Sequence, residues 1–320
     1  MMDVPSVQPI APDVGKIAGP LLIGYMLTWG LYGVLFVQMY LYHLAGSKDS
    51  ALFQLLVCSL YAFQSAQTFL LSHSAFATFA SGFGRVDLID DIQYTWLAIP
   101  VMTSAMAFVV QNYFAHQIYK LSKSKTMPFL ISLLSTTQLA GGIASGVIQH
   151  DVLIFSKFSE RNVLIGTGIW NCPAVLCNII LSVCMAQQLL RNRSWKLAPA
   201  QTPLSIRLLV QSGAVVAVLA ILNLILSFLP GEPPPTYWQA TSCILAGGYT
   251  NTFLAGLNAR IRIWHPDFTE ESYYLDSASN YQHTEPRPTI RSALVFALDS
   301  RGALEQDMTR FEEEDEHLRR

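Results

Sequence analysis

Apolar residues in this chain run in long unbroken stretches, not in the alternation of a half-buried strand or the one-sided stripe of a water-soluble helix. Seven stretches qualify as membrane spans, at residues 19–42, 51–72, 94–117, 128–149, 164–190, 207–229 and 238–259. A hydrocarbon core of about 30 Å needs roughly 20 apolar residues at about 1.5 Å each. None of the seven holds Asp, Glu, Lys or Arg away from its ends. An arginine at mid-bilayer costs about 3 kcal/mol on insertion scales, so the exclusion is itself a signature of spans. The fold class expected is all-α, a polytopic membrane protein built as a seven-transmembrane-helix bundle over residues 19–263. The fifth stretch is longer than needed and holds Pro173, which predicts tilt or a kink.

Composition sharpens the picture. The 320 residues are 52% hydrophobic and only 13% charged, about half the charged fraction of an ordinary soluble domain. Charge is also unevenly placed: residues 1–264 are net +5 and residues 265–320 net −7. Residues 1–18 lack the basic start, apolar core and cleavage site of a signal peptide, so the first span is expected to act as its own insertion signal.

Orientation follows from basic residues, which short loops retain on the cytoplasmic side. Lys48, Lys120, Lys123, Lys125, Arg191, Arg193, Lys196, Arg207, Arg260 and Arg262 fall on one side, ten in all, against Lys16, Arg85, Lys157 and Arg161 on the other. This places residues 1–18 outside and residues 264–320 in the cytoplasm, with the plasma membrane as the expected location. The sequon at Asn192 then faces inward, so a glycan there is not expected. At the end of the last span, "NTFLAGLNARIRIW" closes on Arg260, Arg262 and Trp264, whose long stems and indole ring suit interfacial anchors. Trp96, Trp195 and Trp238 lie near other predicted boundaries.

Helices in lipid associate through close backbone packing and interhelical hydrogen bonds, so small and amide residues mark inward faces. Gly248, Thr252 and Gly256 share a face of the seventh span, and Gly142 and Gly146 one of the fourth. Asn251 and Asn258 lie seven residues apart, as do Asn171 and Asn178. Gln64, Gln67, Gln211 and Asn223 complete a set of eight amides. Two readings stand: the amides pair with one another and with backbone carbonyls to fix the bundle, or they line a polar cavity for a small neutral or lipophilic ligand.

Chemistry-bearing patterns are few. The seventh span has no lysine for a retinal Schiff base, and the acidic-arginine-aromatic triplet of the largest receptor family is missing after the third. His43, His116 and His265 fall on the inner side, His73 and His150 on the outer, without the i, i+4 pairing of a helical metal site. All five cysteines lie within spans as small apolar residues. No enzymatic activity, cofactor, metal or nucleic-acid partner is expected. In the second loop Phe76, Phe79 and Phe83 have the spacing of a short interfacial helix able to lid a cavity. The acidic tail is polar and proline-containing and is expected to be mostly disordered, with Leu304, Met308, Phe311 and Leu318 as a stripe for a cytoplasmic protein partner.

With these residues laid out, the chain resembles a large group of fungal, mainly basidiomycete, multispanning membrane proteins carrying domain of unknown function 6534. The resemblance runs from "GPLLIGYMLTWGLYGVLFVQMYLY" through "AFQSAQTFLLSH", "AHQIYKLSKS" and "QLAGGIASG" to "YTNTFLAGLNARIRI", where it is most specific. Relatives commonly carry an acid where Asn178 lies and Glu-Thr-Gly where this chain reads Gln211-Ser212-Gly213. Two ionisable positions have thus become neutral amides, which lowers any expectation of proton coupling. The resemblance implies seven helices and no particular reaction. The functional expectation is a receptor-like or sensory protein in the lipid bilayer, with a transporter of a neutral or lipophilic solute as the alternative.

Overall fold

The structure is a computed structural model. It describes residues 14–44, 49–82, 85, 91–122, 125–152, 154, 161–191, 213–229 and 237–264, without the side chains of 14–17, 121–122, 188–191 and 259–264. All of these lie in a unit spanning Met1–His265; the second unit, Pro266–Arg320, lies outside the described residues, and with it the expectations for the tail.

Seven α-helices are described: α1 (Val14–Leu44), α2 (Ala51–Phe76), α3 (Met102–Ser122), α4 (Thr126–Val152), α5 (Arg161–Arg191), α6 (Ala214–Ser227) and α7 (Tyr237–Trp264). A wide π turn continues α2 over Ala77–Ser81, and another over Leu97–Val101 leads into α3. Five of these elements, Ala18–Leu44, Ala51–Ser81, Leu97–Lys120, Thr126–Val152 and Arg161–Gln187, are long and apolar enough to cross a membrane. Most helices overrun the hydropathy bounds by a few residues, because helical hydrogen bonding does not stop where the apolar run stops. The sixth differs. Within the described residues it begins only after Gly213, whose φ of 76° is the left-handed conformation, and covers fourteen residues, apolar except for Asn223 and Ser227.

The helix that hydropathy ranks lowest is the most enclosed. Every residue of α7 from Leu245 to Leu254 is buried, because α1, α2, α3 and α6 all pack on it. A helix so surrounded needs no greasy outer face, which explains its Thr, Ser, Gly and Asn content. Elsewhere the usual soluble arrangement is inverted. Met26, Phe36, Leu52, Phe69 and Phe129 point outward at 60–81% exposure, whereas Gln64, Gln67, Gln111, Gln138 and Asn223 are at 0–1%. No Asp, Glu, Lys or Arg is buried among the described residues. Such an exterior belongs against hydrocarbon.

Neighbouring helices alternate in direction. Tyr32 bonds Tyr61 and Ser65, and Tyr25 meets Phe79 edge to face, so α2 runs against α1. Numbering also opposes between α3 and α4 (Gln111 with Gln138, Val101 with Gly146), α4 and α5 (Gly141 with Ile169, Ile131 with Cys177), and α6 and α7 (Asn223 with Ser242, Val216 with Gly248). The odd helices run together: Leu31 with Asn251 and Gln38 with Asn258 set α1 parallel to α7.

Glycine and proline decide how closely α4 packs. Proline has no N–H, so Pro173 leaves the Ile169 carbonyl without its helical partner, and Gly141 lies directly against that carbonyl. A methyl group at Gly141 would fall 2.6 Å from the Ile169 oxygen. On the other side of α4, one at Gly142 would fall 2.7 Å from the Pro100 carbonyl oxygen, and one at Gly146 3.0 Å from that of Trp96, four residues before Pro100. Helix α5 continues through Pro173 unbroken from Arg161 to Arg191.

One end of the bundle is plugged. Leu21, Tyr25, Leu71, Ile92, Ile99, Val163, Trp170 and Trp238 form an apolar cluster there. Ile92 enters it from the α2–α3 connection and is fully buried. The backbone around it is pinned by Gln93, whose N–H bonds Asp91 Oδ1 at 3.1 Å and whose side chain donates to Thr78 Oγ1 at 3.2 Å. The phenylalanines expected in a separate interfacial helix are placed differently: Phe76 ends α2, Phe79 sits in the π turn, and Phe83 lies outside the described residues. Trp238, read as interfacial, is 8% exposed within the plug.

Candidate functional site: amide clusters between the helices

Seven of the eight amides singled out in the sequence are described; Gln211 is not. The seven described amides are divided among separate hydrogen-bonded groups. Each group joins helices through polar side chains that bond one another or backbone carbonyls, as helices in lipid do.

The first group joins α2, α3 and α7. Gln64 Nε2 donates to Gln67 Oε1 at 3.1 Å, and Gln67 Nε2 donates to the Ala98 carbonyl at 2.6 Å and to Thr103 Oγ1 at 3.1 Å. Thr250 Oγ1 donates to Gln64 Oε1 at 3.3 Å. The π turn explains the acceptor: the Met102 N–H bonds the carbonyls of Leu97 and Ile99 and passes over that of Ala98.

The second group joins α5, α6 and α7. Asn223 Nδ2 donates to Asn171 Oδ1 at 3.1 Å, and Asn223 Oδ1 accepts from Thr241 at 2.8 Å and Ser242 at 2.7 Å. Asn171 Nδ2 lies 3.5 Å from Ser227 Oγ. The third runs along α1 and α7. Asn251 Nδ2 donates to the carbonyls of Leu31 at 3.1 Å and Gly247 at 2.7 Å, and Asn258 Nδ2 to that of Gln38 at 2.9 Å.

The fourth group is a hub of four helices. Gln111 Nε2 of α3 donates to Gln138 Oε1 of α4 at 2.9 Å and lies 3.4 Å from both Asn178 Oδ1 of α5 and Tyr249 Oη of α7. Asn178 Nδ2 donates to Tyr249 Oη at 2.7 Å. A cavity of about 20 Å³ adjoins it, lined in part by Gln111, Asn178, Tyr249, Ser182, Thr252 and Gly213. Gln111 Oε1 and Ser182 Oγ are buried without a partner among the described residues. That volume suits one water molecule and no larger solute.

Of the seven described candidates, Asn178 alone lines this cavity. Gln111, Gln138 and Tyr249 were missed. The two glutamines obey the same rule as the chosen amides, being uncharged amides inside apolar spans, and were legible on that ground; Tyr249 carries no such mark. The side chains of Arg260, Arg262 and Trp264 lie outside the described residues, so their anchoring role is an expectation from sequence. His73 packs edge-on to Tyr94 and His150 to Trp96, with centroids 5.2 and 4.7 Å apart. Among the described residues no three His, Cys, Asp or Glu side chains are placed to share a metal ion. His265 is not among them.

Over residues 174–262 the chain is similar to DUF6534, a family of unknown function. The matched segment runs from within α5 to near the end of α7 and holds Asn178, Asn223, Tyr249, Asn251 and Asn258. No curated protein and no solved structure matches the chain.

Proposed function

We propose that this protein is a non-enzymatic, receptor-like or sensory membrane protein that crosses the bilayer seven times, residues 1–18 outside and the acidic tail in the cytoplasm of a cell whose plasma membrane it occupies. Support for seven crossings comes from the alternation of helix direction and from α7 lying parallel to α1, itself apolar and long enough to span. The excess of basic residues on one set of loops supports the orientation.

The observation that carries the sensory reading is the Gln111 hub. One amide shares its hydrogens among acceptors on three other helices, at 2.9, 3.4 and 3.4 Å, so a small shift of any helix exchanges its partners without exposing a charge. Such an exchange is a discrete two-state element of the kind a ligand biases by binding one state better. The adjoining cavity of about 20 Å³ and the apolar plug above it do not favour a solute path.

The purified protein, screened by thermal stabilisation against lipids and small neutral metabolites, is expected to respond to a compound whose effect is lost in Gln111→Leu. Reconstituted vesicles are expected to show no accompanying flux of that compound. Saturable flux that survives Gln111→Leu supports the transporter reading instead.

A further inference from the structure

Between α3 and α4, at the end where the two helices are joined, an open crevice of about 330 Å³ is lined by His116, Tyr119 and Asn112 from one side and by Lys125, Phe129 and Ser132 from the other. On each helix these residues follow one face, so the crevice runs along the helix axes from the bundle rim inward. It is separate from the Gln111 hub and the other amide groups.

The crevice has a graded chemistry. At its mouth Lys125 precedes the first residue of α4, and no acidic side chain occupies that helix's first turn, leaving the positive end of the helix dipole uncompensated. His116 and Tyr119 supply N–H and O–H groups beside it. One turn deeper, Phe129 stands 70% exposed. About 10 Å in from Lys125, at seven residues of helical rise, the floor is polar but already satisfied: Ser132 Oγ donates to Asn112 Oδ1 at 2.8 Å, and Asn112 Nδ2 to the Phe108 carbonyl at 2.8 Å. The mouth therefore calls for an anion and the wall for hydrocarbon, on a bundle whose exterior is apolar.

We propose that this crevice binds an anionic glycerophospholipid of the adjoining leaflet, its phosphate against Lys125, His116 and Tyr119 and one acyl chain along Phe129. A phosphate at a lysine and a helix N-terminus gains both charge attraction and N–H donors. The attached chain meets Phe129 where a phospholipid's chain begins, below its headgroup. A neutral headgroup gains less, and free phosphate leaves the apolar wall uncovered.

The test uses the full chain purified in neutral detergent, titrated with dioctanoyl phosphatidylglycerol, dioctanoyl phosphatidylcholine or inorganic phosphate, with thermal stabilisation and native mass spectrometry as readouts. Phosphatidylglycerol is expected to bind about tenfold more tightly than phosphatidylcholine, and Lys125→Ala to weaken it about fivefold, the loss of one lysine at a membrane surface. Lys120→Ala, whose lysine does not line the crevice, is expected to change it less than about twofold. Ser132→Phe, which fills the crevice from within, is expected to abolish the bound lipid; Phe129→Ala, an exposed position less prone to disturb folding, is the second variant and is expected to weaken it. Equal binding of the two lipids, equal stabilisation by inorganic phosphate, or unchanged binding in both Lys125→Ala and Phe129→Ala overturns the proposal.

Discussion

The side-chain amide of Asn251 donates to the backbone carbonyl of Leu31 across 3.1 Å, joining the last helix to the first over 220 positions of sequence. Seven residues further along both helices Asn258 repeats the contact with Gln38. The equal spacing is possible because α1 and α7 run in the same direction. Two amides thus fix both the register and the polarity of the pair that closes the bundle.

Asn251→Leu and Asn258→Leu are each expected to destabilise the protein by about 0.6–2 kcal/mol, the range for interhelical polar contacts in lipid. Asn258→Leu is the cleaner probe, since Asn251 also donates to Gly247 of its own helix. Reversible unfolding in mixed micelles checks both, and a loss below about 0.2 kcal/mol for both contradicts the zipper.

Packing at Gly141 leads to a sharper contrast. Gly141→Ala places a methyl group 2.6 Å from the Ile169 carbonyl oxygen, backbone that cannot swing aside, and is expected to cost about 1–3 kcal/mol. Gly30→Ala, with nothing within 4 Å of the new methyl, is expected to stabilise by up to about 1 kcal/mol through helix propensity. Thermal melts of the two variants should move in opposite directions.

The hub makes a prediction about coupling. Tyr249→Phe and Asn178→Leu each remove one end of the 2.7 Å bond, so their effects should not add. A double-mutant cycle is expected to return about 0.6–1.7 kcal/mol of interaction energy. A value of zero means the two groups do not meet.

At the plugged end, Ile92→Ala removes a fully buried side chain and is expected to cost about 2–4 kcal/mol and to open the α2–α3 connection to limited proteolysis. Phe76→Ala, at a side chain 67% exposed, should leave the cleavage pattern unchanged.

Much of the helical plan was legible in the sequence because lipid imposes a blunt rule: charge stays out of long apolar runs, and here none of the buried described residues is charged. The Gly142 and Gly146 face was legible for the related reason that only small residues let backbones touch. Partner choice was not. Nothing in the spacing of Asn171 and Asn178 reveals that one joins the Asn223 group and the other the Tyr249 hub, because that depends on how α5 is rotated against two different neighbours. Nor could Ile92 be told from any loop isoleucine, since its burial depends on a connection folding back over the bundle. The left-handed conformation of Gly213 was hidden as well, because a glycine within a predicted span does not announce its φ.

The central claim is an odd number of crossings, with α1 and α7 traversing the bilayer in the same sense. Its most direct measurement is labelling with a membrane-impermeant maleimide in sealed, oriented vesicles, using Ser6→Cys before α1 and Ser292→Cys after α7, each compared with the unsubstituted chain. Labelling of the two positions from opposite faces is the predicted result. Labelling of both from the same face contradicts it.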